Sequence, residues 1–375
     1  MSIDLEAMAE LGLYDPDDPG AADRRNLLEW LVSQGTTLDE MLQAQQRGRL
    51  FALGGDRILR PGRDAFTLGQ VAKQLKADPD LVHRAWRALG LPDQGMDTPV
   101  ASADDVGALR VCLNMAAGMG EQTMLSMARS YGAAMSTVSH AEVAATRDVN
   151  ADVSLELTGS EVVTGRAWAR AVSAVPDIGR LLDVLHRHHL EASMRQYEQV
   201  DPEDGGGWGQ LRMAVGFVDL CGFTGLSQAL DSQTLSAWLT RMEEVTYEVV
   251  SSHGGRVVKF IGDAAMFAAP RPADVAAIAD VLVCGSKMKG EVVVRGGVAF
   301  GPVLAQDGDY FGQPVNLAAR LVAVAEPGVV LASQELVARL NPGEWRCDAR
   351  EPAVFRGFPD PVVAYDISRL TRAGA

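Results

Sequence analysis

The chain has few cysteines, a shortage of basic side chains and no long apolar run. Four widely spaced cysteines in 375 residues, without a CxxC pattern, argue against a disulfide framework or a zinc site. Lysine and arginine total 34 against 49 acidic residues, and this net charge of −15 argues against general nucleic-acid or anionic-membrane affinity. No apolar run approaches the length of a transmembrane helix, and the N-terminus is acidic, unlike a signal peptide. We therefore expect a soluble cytoplasmic protein.

The length and the 47% hydrophobic content suit two or three folded domains. The best boundary is an acidic, glycine-rich run at 201–210, which contains Asp201-Pro202-Glu203-Asp204-Gly205-Gly206-Gly207. Residues 1–200 have helical apolar spacing and end in a predicted connecting helix at 176–200. Residues 211–375 alternate between strand and helix patterns. The sequence therefore predicts an all-helical first domain and an α/β or α+β second domain.

Breaks in the first domain are marked by glycine and proline. Gly54-Gly55-Asp56 reads as a turn, and the following Arg57–Arg60 as a short strand or extended linker. Residues 66–91 have the rhythm of a helix-turn-helix. Its second helix offers His83, Arg84 and Arg87, which two nearby aspartates offset, so a structural role is favoured over DNA binding.

Residues 103–148 form one alanine- and methionine-rich stretch. Three interpretations remain open for its methionines: irregular helix packing, which is favoured; an adaptable apolar pocket, for example for a lipid; and a groove for a partner helix. The methionines are Met115, Met119, Met124, Met127 and Met135.

Three motifs in the second domain carry the chemistry. They are Phe217-Val218-Asp219-Leu220-Cys221-Gly222-Phe223-Thr224, Lys259-Phe260-Ile261-Gly262-Asp263 and Asp309-Tyr310-Phe311-Gly312-Gln313-Pro314-Val315-Asn316-Leu317-Ala318-Ala319-Arg320. The first two place a carboxylate at the end of an apolar, β-rich run. Two such carboxylates suit two divalent cations, and two cations suit phosphoryl or nucleotidyl transfer.

Together these motifs resemble the catalytic domain of the class III nucleotidyl cyclases over roughly residues 211–368. The resemblance implies an α+β domain with a ferredoxin-like βααβ-type sheet that makes cyclic AMP from ATP. It implies that Asp219, Asp263 and the main-chain carbonyl of Leu220 bind two divalent cations, Mg²⁺ or Mn²⁺.

The resemblance also assigns the nucleotide contacts. Lys259 and Asp309 match the purine-selecting pair, and they favour adenine because guanine reverses the donor and acceptor that they meet. Asn316 and Arg320 match the transition-state pair, and their i, i+4 spacing places both on one helix face.

Two further arginines match phosphate-binding positions. Arg295 corresponds to a phosphate-contacting arginine, and Arg356 stands where many relatives carry a lysine. This replacement departs from the family pattern, because a planar guanidinium differs from the point charge of an ammonium group.

In this family the active site lies between two catalytic domains. The chain has one such domain but carries both residue sets, so the resemblance implies a homodimer with two composite sites.

The first half resembles the helical regulatory domain of the bacterial pH-gated adenylate cyclases. His186, His188 and His189 lie on the predicted connecting helix, and they are either a solvated helix face or a proton-sensitive cluster. A proton and an apolar ligand such as a fatty acid are therefore candidate regulators.

An interpretation from a different functional class also remains open. The helix-turn-helix pattern would suit a nucleotide-sensing DNA-binding regulator with a degenerate cyclase domain. The intact set of catalytic motif residues and the acidic balance oppose it, so we expect no nucleic-acid partner.

Overall fold

The computed structural model describes residues 4–62, 65–198, 210–222, 231–285 and 293–370. The chain forms two compact units, Met1–His188 and His189–Ala375. The first is helical and the second is a mixed sheet with helices, so the predicted fold classes are confirmed. Of the predicted linker at 201–210, residues 201–209 lie outside the described residues, as do Phe223 and Thr224 of the first motif.

The first unit consists of helices with one two-stranded sheet, in which β1 (Phe66–Thr67) pairs with β2 (Pro99–Ala101). The helices are α1 (Leu5–Glu10), α2 (Ala21–Ser33), α3 (Leu38–Gln46), α4 (Leu53–Leu59), α5 (Leu68–Leu75), α6 (Pro79–Ala88), α7 (Ala103–Met119), α8 (Glu121–Val149), α9 (Leu155–Thr158), α10 (Glu161–Val172) and α11 (Val175–Glu198). The last of these continues past the division between the units.

Side-chain caps fix where several of these helices begin. Thr37, Thr67 and Ser102 each accept a hydrogen bond from the third helical residue, whose side chain bonds back to the cap. These reciprocal bonds satisfy donors that the helix itself leaves unpaired. The apolar faces then pack into two clusters, one around Leu27 and Leu31 and one around Trp86.

The predicted turn at Gly54-Gly55-Asp56 and the predicted short strand or extended linker at Arg57–Arg60 are wrong, because helix α4 runs through Leu59 and Arg60 is its C-cap. A Cβ on Gly54 would lie 2.4 Å from the ring of Trp30, so glycine is needed for the close approach of α4 to α2. Local preference reads such a pair of glycines as a turn, whereas the distant tryptophan decides their role.

The methionine-rich stretch is two helices rather than one. It breaks at Gly120, whose φ of 89° suits glycine and ends α7 before α8 begins. Met124 is fully buried, whereas Met119 and Met135 are 44% and 45% exposed. Packing therefore accounts for Met124, and the pocket and groove interpretations of the exposed methionines stay predictions.

The second unit is one sheet with the strand order β4-β5-β3-β6-β8-β10-β9, in which β7 pairs with β6. The strands are β3 (Gln210–Leu220), β4 (Arg256–Ile261), β5 (Ala264–Ala269), β6 (Val294–Gln306), β7 (Asp309–Phe311), β8 (Val330–Ser333), β9 (Trp345–Ala349) and β10 (Ala364–Arg369). Described pairs are antiparallel except β6 with β8. The helices are α12 (Ser232–Ser252), α13 (Pro272–Cys284), α14 (Gln313–Val324) and α15 (Gln334–Val337).

Both faces of this sheet are covered. Helices α12 and α13 pack on one face, where Val245, Val249 and Ile278 meet Val218 and Phe267. Helix α14 packs on the other, and its buried side chains join alternate residues of β3, with Val215 and Phe217 among them. Because side chains alternate along a strand, Asp219 lies on the α14 face.

The contact between α14 and the sheet is close at Gly297. A Cβ there would lie 2.3 Å from the main-chain nitrogen of Val322, so a larger residue would push the helix outward. The glycine thus sets the distance of α14 from the strand that carries Arg295.

Candidate active site

Asp219 and Asp263 lie at one edge of the sheet. Asp219 is next to last in β3, and it pairs in register with Ala264 of β5 and with Arg295 of β6. Asp263 precedes Ala264 in the tight turn between β4 and β5, where Gly262 has a φ of 61°. The structure therefore brings together the two carboxylates that the sequence analysis assigned to metal binding.

Arg295 is the described partner of Asp219. Its Nε and Nη2 donate to Oδ2 of Asp219 at 2.9 and 2.6 Å, and its Nη1 donates to the carbonyl oxygen of Ala323 at 3.0 Å. The Asp219 and Arg295 side chains are only 19% and 28% exposed. The predicted phosphate-contacting arginine thus holds a predicted metal ligand and the last turn of α14.

Asp263 is in the opposite electrostatic situation. Burial raises its pKa above the usual aspartate value, and the negative charge of Asp219 adds to the rise, while Arg295 opposes it. Its side chain makes no hydrogen bond or ion pair with another described residue. A nearby cation would relieve the cost of ionising it.

The donor set at this edge fits a hard divalent cation. It offers carboxylate oxygens from Asp219 and Asp263, and the main-chain carbonyl of Leu220, whose side chain is buried in the core. Mg²⁺ and Mn²⁺ prefer oxygen ligands and commonly keep positions for substrate phosphates. Across the described ranges no cluster of three or more His, Cys, Asp or Glu side chains forms a complete metal site.

Lys259 and Asp309 also meet. Nζ of Lys259 binds Oδ2 of Asp309, and Oδ1 accepts from the main-chain nitrogen of Tyr310 at 2.8 Å. The two residues lie on β4 and β7, which do not pair within the described sheet. The 40% exposure of the lysine and the 23% exposure of the aspartate leave both accessible from solvent.

Arg256 fixes this approach, and the sequence analysis missed it. Its Nη2 donates to the carbonyl oxygen of Gly308 at 3.1 Å, and its guanidinium lies 5.1 Å from the ring centroid of Tyr310. These contacts tie the turn before β7 to β4. No sequence signal marks the pairing, because the two sides are 52 positions apart and join only when the β6–β7 hairpin folds.

Asn316 and Arg320 point away from the core on α14, as their spacing predicts. Both side chains are exposed, and neither side chain makes a hydrogen bond or ion pair with a described residue. The described contacts do not join them to Asp219 or Lys259. Among the described hydrogen bonds, the one from Arg295 to the carbonyl oxygen of Ala323 links the end of their helix to Asp219.

Arg356 lies apart from these groups. It is exposed in the turn between the buried Phe355 and Gly357, whose φ is 94°. It has no ion pair among the described residues, and its assignment to a phosphate stays a prediction.

The three neighbouring histidines of α11 are exposed. The ring of His186 makes an edge contact with Tyr131 of α8, with the centroids 6.4 Å apart. No described residue makes a hydrogen bond to the imidazole ring of His188 or His189. The structure thus leaves their predicted role in proton sensing untested.

The helix-turn-helix segment has the predicted shape, with α5 and α6 joined at Lys76 in the left-handed region. The basic residues of α6 are each bound to acids. His83 binds Asp93 at 2.8 Å, Arg87 lies 3.6 Å from the same carboxylate, and Arg84 bridges two acidic side chains. Little positive charge is therefore free for a DNA backbone.

Comparisons with known proteins identify the family of the chain. Residues 210–369 match the family described as adenylate and guanylate cyclase catalytic domain, and residues 7–195 match the adenylate cyclase regulatory domain. The chain belongs to the class III adenylate cyclases. It is an enzyme of that family with an N-terminal regulatory domain.

Three relatives cover most of the chain. An uncharacterized protein of Mycobacterium tuberculosis (strain ATCC 25618 / H37Rv) is 39% identical over 99% of this chain and 96% of its own. An adenylate cyclase of Glutamicibacter nicotianae is 30% identical, with coverages of 85% and 82%. A pH-sensitive adenylate cyclase of Mycobacterium tuberculosis (strain CDC 1551 / Oshkosh) is 27% identical, with coverages of 97% and 92%.

In this cyclase, none of the helices in the described part of the chain combines the length and apolar character needed to cross a membrane.

Proposed function

We propose that the protein converts ATP to 3′,5′-cyclic AMP and pyrophosphate, with two divalent cations, at composite sites of a homodimer. The observation that carries the proposal is the grouping on one sheet face. The carboxylates Asp219 and Asp263 lie at its edge, and the Lys259–Asp309 pair lies on the same side.

Asp219, Asp263 and the Leu220 carbonyl would hold the cations, Mg²⁺ or Mn²⁺. The chemistry that bound cations supply in such a site is a lower pKa for the attacking 3′-hydroxyl and neutralisation of the leaving pyrophosphate. Arg295 and Arg356 are proposed to contact the triphosphate. Because the chain has a net charge of −15, local groups of this kind must attract the anionic substrate.

The Lys259–Asp309 pair would select adenine. Lysine donates to the purine N1 acceptor, and aspartate accepts from the 6-amino group. Guanine presents a donor at N1 and a carbonyl oxygen at C6, so it would leave both groups mismatched. The ion pair can persist when the base arrives, since the ammonium group has further donors and each carboxylate oxygen has a further lone pair.

Asn316 would orient the ribose, and Arg320 would stabilise the charge on the pentavalent α-phosphate. Both are exposed on α14 without a partner among the described residues, which suits residues that act on a ligand held by a second subunit. The homodimer inference rests on this separation and on the presence of both residue sets in one chain.

Mixing two inactive variants tests the composite site. Asp263→Asn and Arg320→Ala each damage both sites of a homodimer, but a mixed dimer keeps one intact site. Random exchange of subunits should restore about a quarter of the wild-type activity, because half of the dimers are mixed and each has one complete site. Activity that stays at the level of the single variants would contradict the proposed dimer.

Mixing Asp263→Asn with Asp219→Asn is the matched control. Both changes lie in the same residue set, so no mixed dimer contains an intact site and no activity should return. Product identification with ATP and GTP in the same assay tests the base preference.

The DNA-binding alternative has the shape of α5 and α6 in its favour. Its charges oppose it, because His83, Arg84 and Arg87 are engaged by acids. Specific retardation of DNA in a gel, together with no turnover of ATP, would favour that alternative.

We further propose that the regulatory domain responds to a proton or to an apolar ligand such as a fatty acid. The proton proposal rests on the exposed side chains of His186, His188 and His189. Replacing all three with glutamine should flatten the pH dependence of activity between about pH 5.5 and 8, where histidine titrates. An unchanged profile would end this proposal. Thermal shift with fatty acids of several chain lengths tests the apolar ligand.

A further inference from the structure

The ion pair between Arg295 and Asp219 is asymmetric. Both guanidinium donors converge on Oδ2 of Asp219, at 2.9 and 2.6 Å. No described residue donates to Oδ1. One carboxylate oxygen is therefore occupied, and the other is available to a ligand.

The neighbouring carboxylate of Asp263 bonds only to its own main chain among the described residues, and no other described side chain pairs with it. One cation can therefore reach Oδ1 of Asp219 together with Asp263. A second cation that shared both carboxylates would compete with the positive guanidinium for Oδ2 of Asp219.

Arg295 also has an alternative binding partner. Arg295 is the residue assigned above to the triphosphate, and a phosphate group is a stronger bidentate partner for guanidinium than one carboxylate oxygen. Its Nη1 meanwhile bonds the carbonyl oxygen of Ala323, at the end of the helix that carries Asn316 and Arg320. Movement of the guanidinium would therefore release both Oδ2 and the end of α14.

We propose that Arg295 admits only one divalent cation to the nucleotide-free site and gives up its place to the second cation when the triphosphate binds. This inference rests on the proposed metal-binding role of Asp219 and Asp263. Arg295 thereby couples the cation count to the nucleotide. By thermodynamic linkage, the factor by which the nucleotide raises cation affinity through Arg295 equals the factor by which the cation raises nucleotide affinity.

Mn²⁺ binding followed by electron paramagnetic resonance tests the proposal without turnover. In the full-length wild-type protein without nucleotide, we expect one Mn²⁺ for each site, and two when a non-hydrolysable ATP analogue is added. The Arg295→Gln variant should bind two without the analogue, and the added affinity from the analogue should shrink by about tenfold, within the usual range of coupling.

Three further variants separate the explanations. Lys259→Gln removes one positive charge from the same sheet face but leaves Asp219 paired, so it should keep the single-cation count. Arg271→Gln removes an exposed partner of Asp274 and should also keep the wild-type count. Arg295→Lys retains a charge without the fork, and we expect its second site to have intermediate affinity.

The outcomes distinguish two failures. If Asp219→Asn leaves Mn²⁺ binding unchanged, the metal assignment in the proposed function is wrong. If Asp219→Asn weakens binding but both Arg295 variants keep one Mn²⁺ and full coupling to the analogue, the role of Arg295 is wrong. Two Mn²⁺ in the nucleotide-free wild type would also overturn it, and this measurement needs no variant to fold.

Discussion

One carboxylate from each unit illustrates two opposite electrostatic situations. In the helical unit, Asp105 accepts hydrogen bonds from the main chain and hydroxyl of Ser102 and an ion pair from Arg60. Although burial alone would raise its pKa, these bonds outweigh burial and the pKa is lowered. In the sheet unit, burial raises the pKa of Asp263, which has no described side-chain partner.

This difference distinguishes acidic side chains that stabilise the fold from acidic side chains that are available to bind a ligand. A carboxylate whose charge is already satisfied stabilises the fold and has little left to offer a cation. One that is partly buried and incompletely compensated reduces stability, and such groups concentrate at functional sites. Asp219 is intermediate, because its single described partner is an arginine that a phosphate can draw away.

The largest effect is expected from Asp263→Asn. We expect activity to fall by two orders of magnitude or more, roughly the loss seen when one charge-stabilising group of an active site is removed. The variant should be at least as stable as wild type at neutral pH, because asparagine avoids the cost of a buried charge. Cyclic nucleotide formation and thermal unfolding are the measurements.

The pKa of Asp263 determines how the stability difference between wild type and Asp263→Asn changes with pH. Because the folded-state pKa of Asp263 is raised, the folded protein binds this proton more tightly than the unfolded chain does. Wild type should therefore lose stability relative to Asp263→Asn as the pH rises through that pKa. Asp348→Asn, at an exposed aspartate of the same unit, is the control and should change neither activity nor stability appreciably. A marked loss of stability in Asp263→Asn would show that this acid is structural.

The next effect in size is expected from Asp105→Asn. Asparagine keeps an acceptor oxygen but loses the charge that strengthens the capping box of α7 and pairs with Arg60, so the free energy of unfolding of the helical unit should fall by about 1–2 kcal/mol. The sign with pH is opposite to that at Asp263. Because the pKa of Asp105 is lowered, its contribution is present above the ordinary aspartate pKa and is lost as the pH falls through the folded-state value.

Urea unfolding at neutral and acid pH measures this difference. Asp104→Asn is the matched control, since Asp104 lies in the same first turn, is exposed and takes no part in the cap. Equal losses in the two variants would show that general charge at the start of α7, and not the cap, stabilises the helix.

Much of the candidate site could be predicted because it is local in sequence. The strand-end carboxylates belong to short motifs, and the structure places them at a sheet edge. The i, i+4 spacing of Asn316 and Arg320 is also local, and the structure places both residues on one helix face. The bond from Arg295 to Asp219 could not be predicted in this way. It depends on the register of β3 against β6, which joins residues 76 positions apart.

The errors in the helical unit have the same origin. Gly54 has the local preference of a turn, but the ring of Trp30, which packs against it from α2, makes glycine necessary within a helix. The starts of α5 and α7 are set locally, because the capping residues Thr67 and Ser102 bond within the first turn of the helices that they begin. Sequence patterns thus report local caps and motifs well and report long-range packing poorly.

The smallest effect is expected at the surface ion pairs of α6. Arg84 binds Asp80 at 2.8 Å and Glu121 at 2.9 Å, but its side chain is 40% exposed. Solvent screens exposed pairs of this kind, so Arg84→Gln should lower the free energy of unfolding only slightly. Arg110→Gln, which removes an exposed arginine without a described partner, should have less effect still. If high salt did not reduce the difference between the two variants, the ion pairs would not be its source, since screening weakens exposed charges.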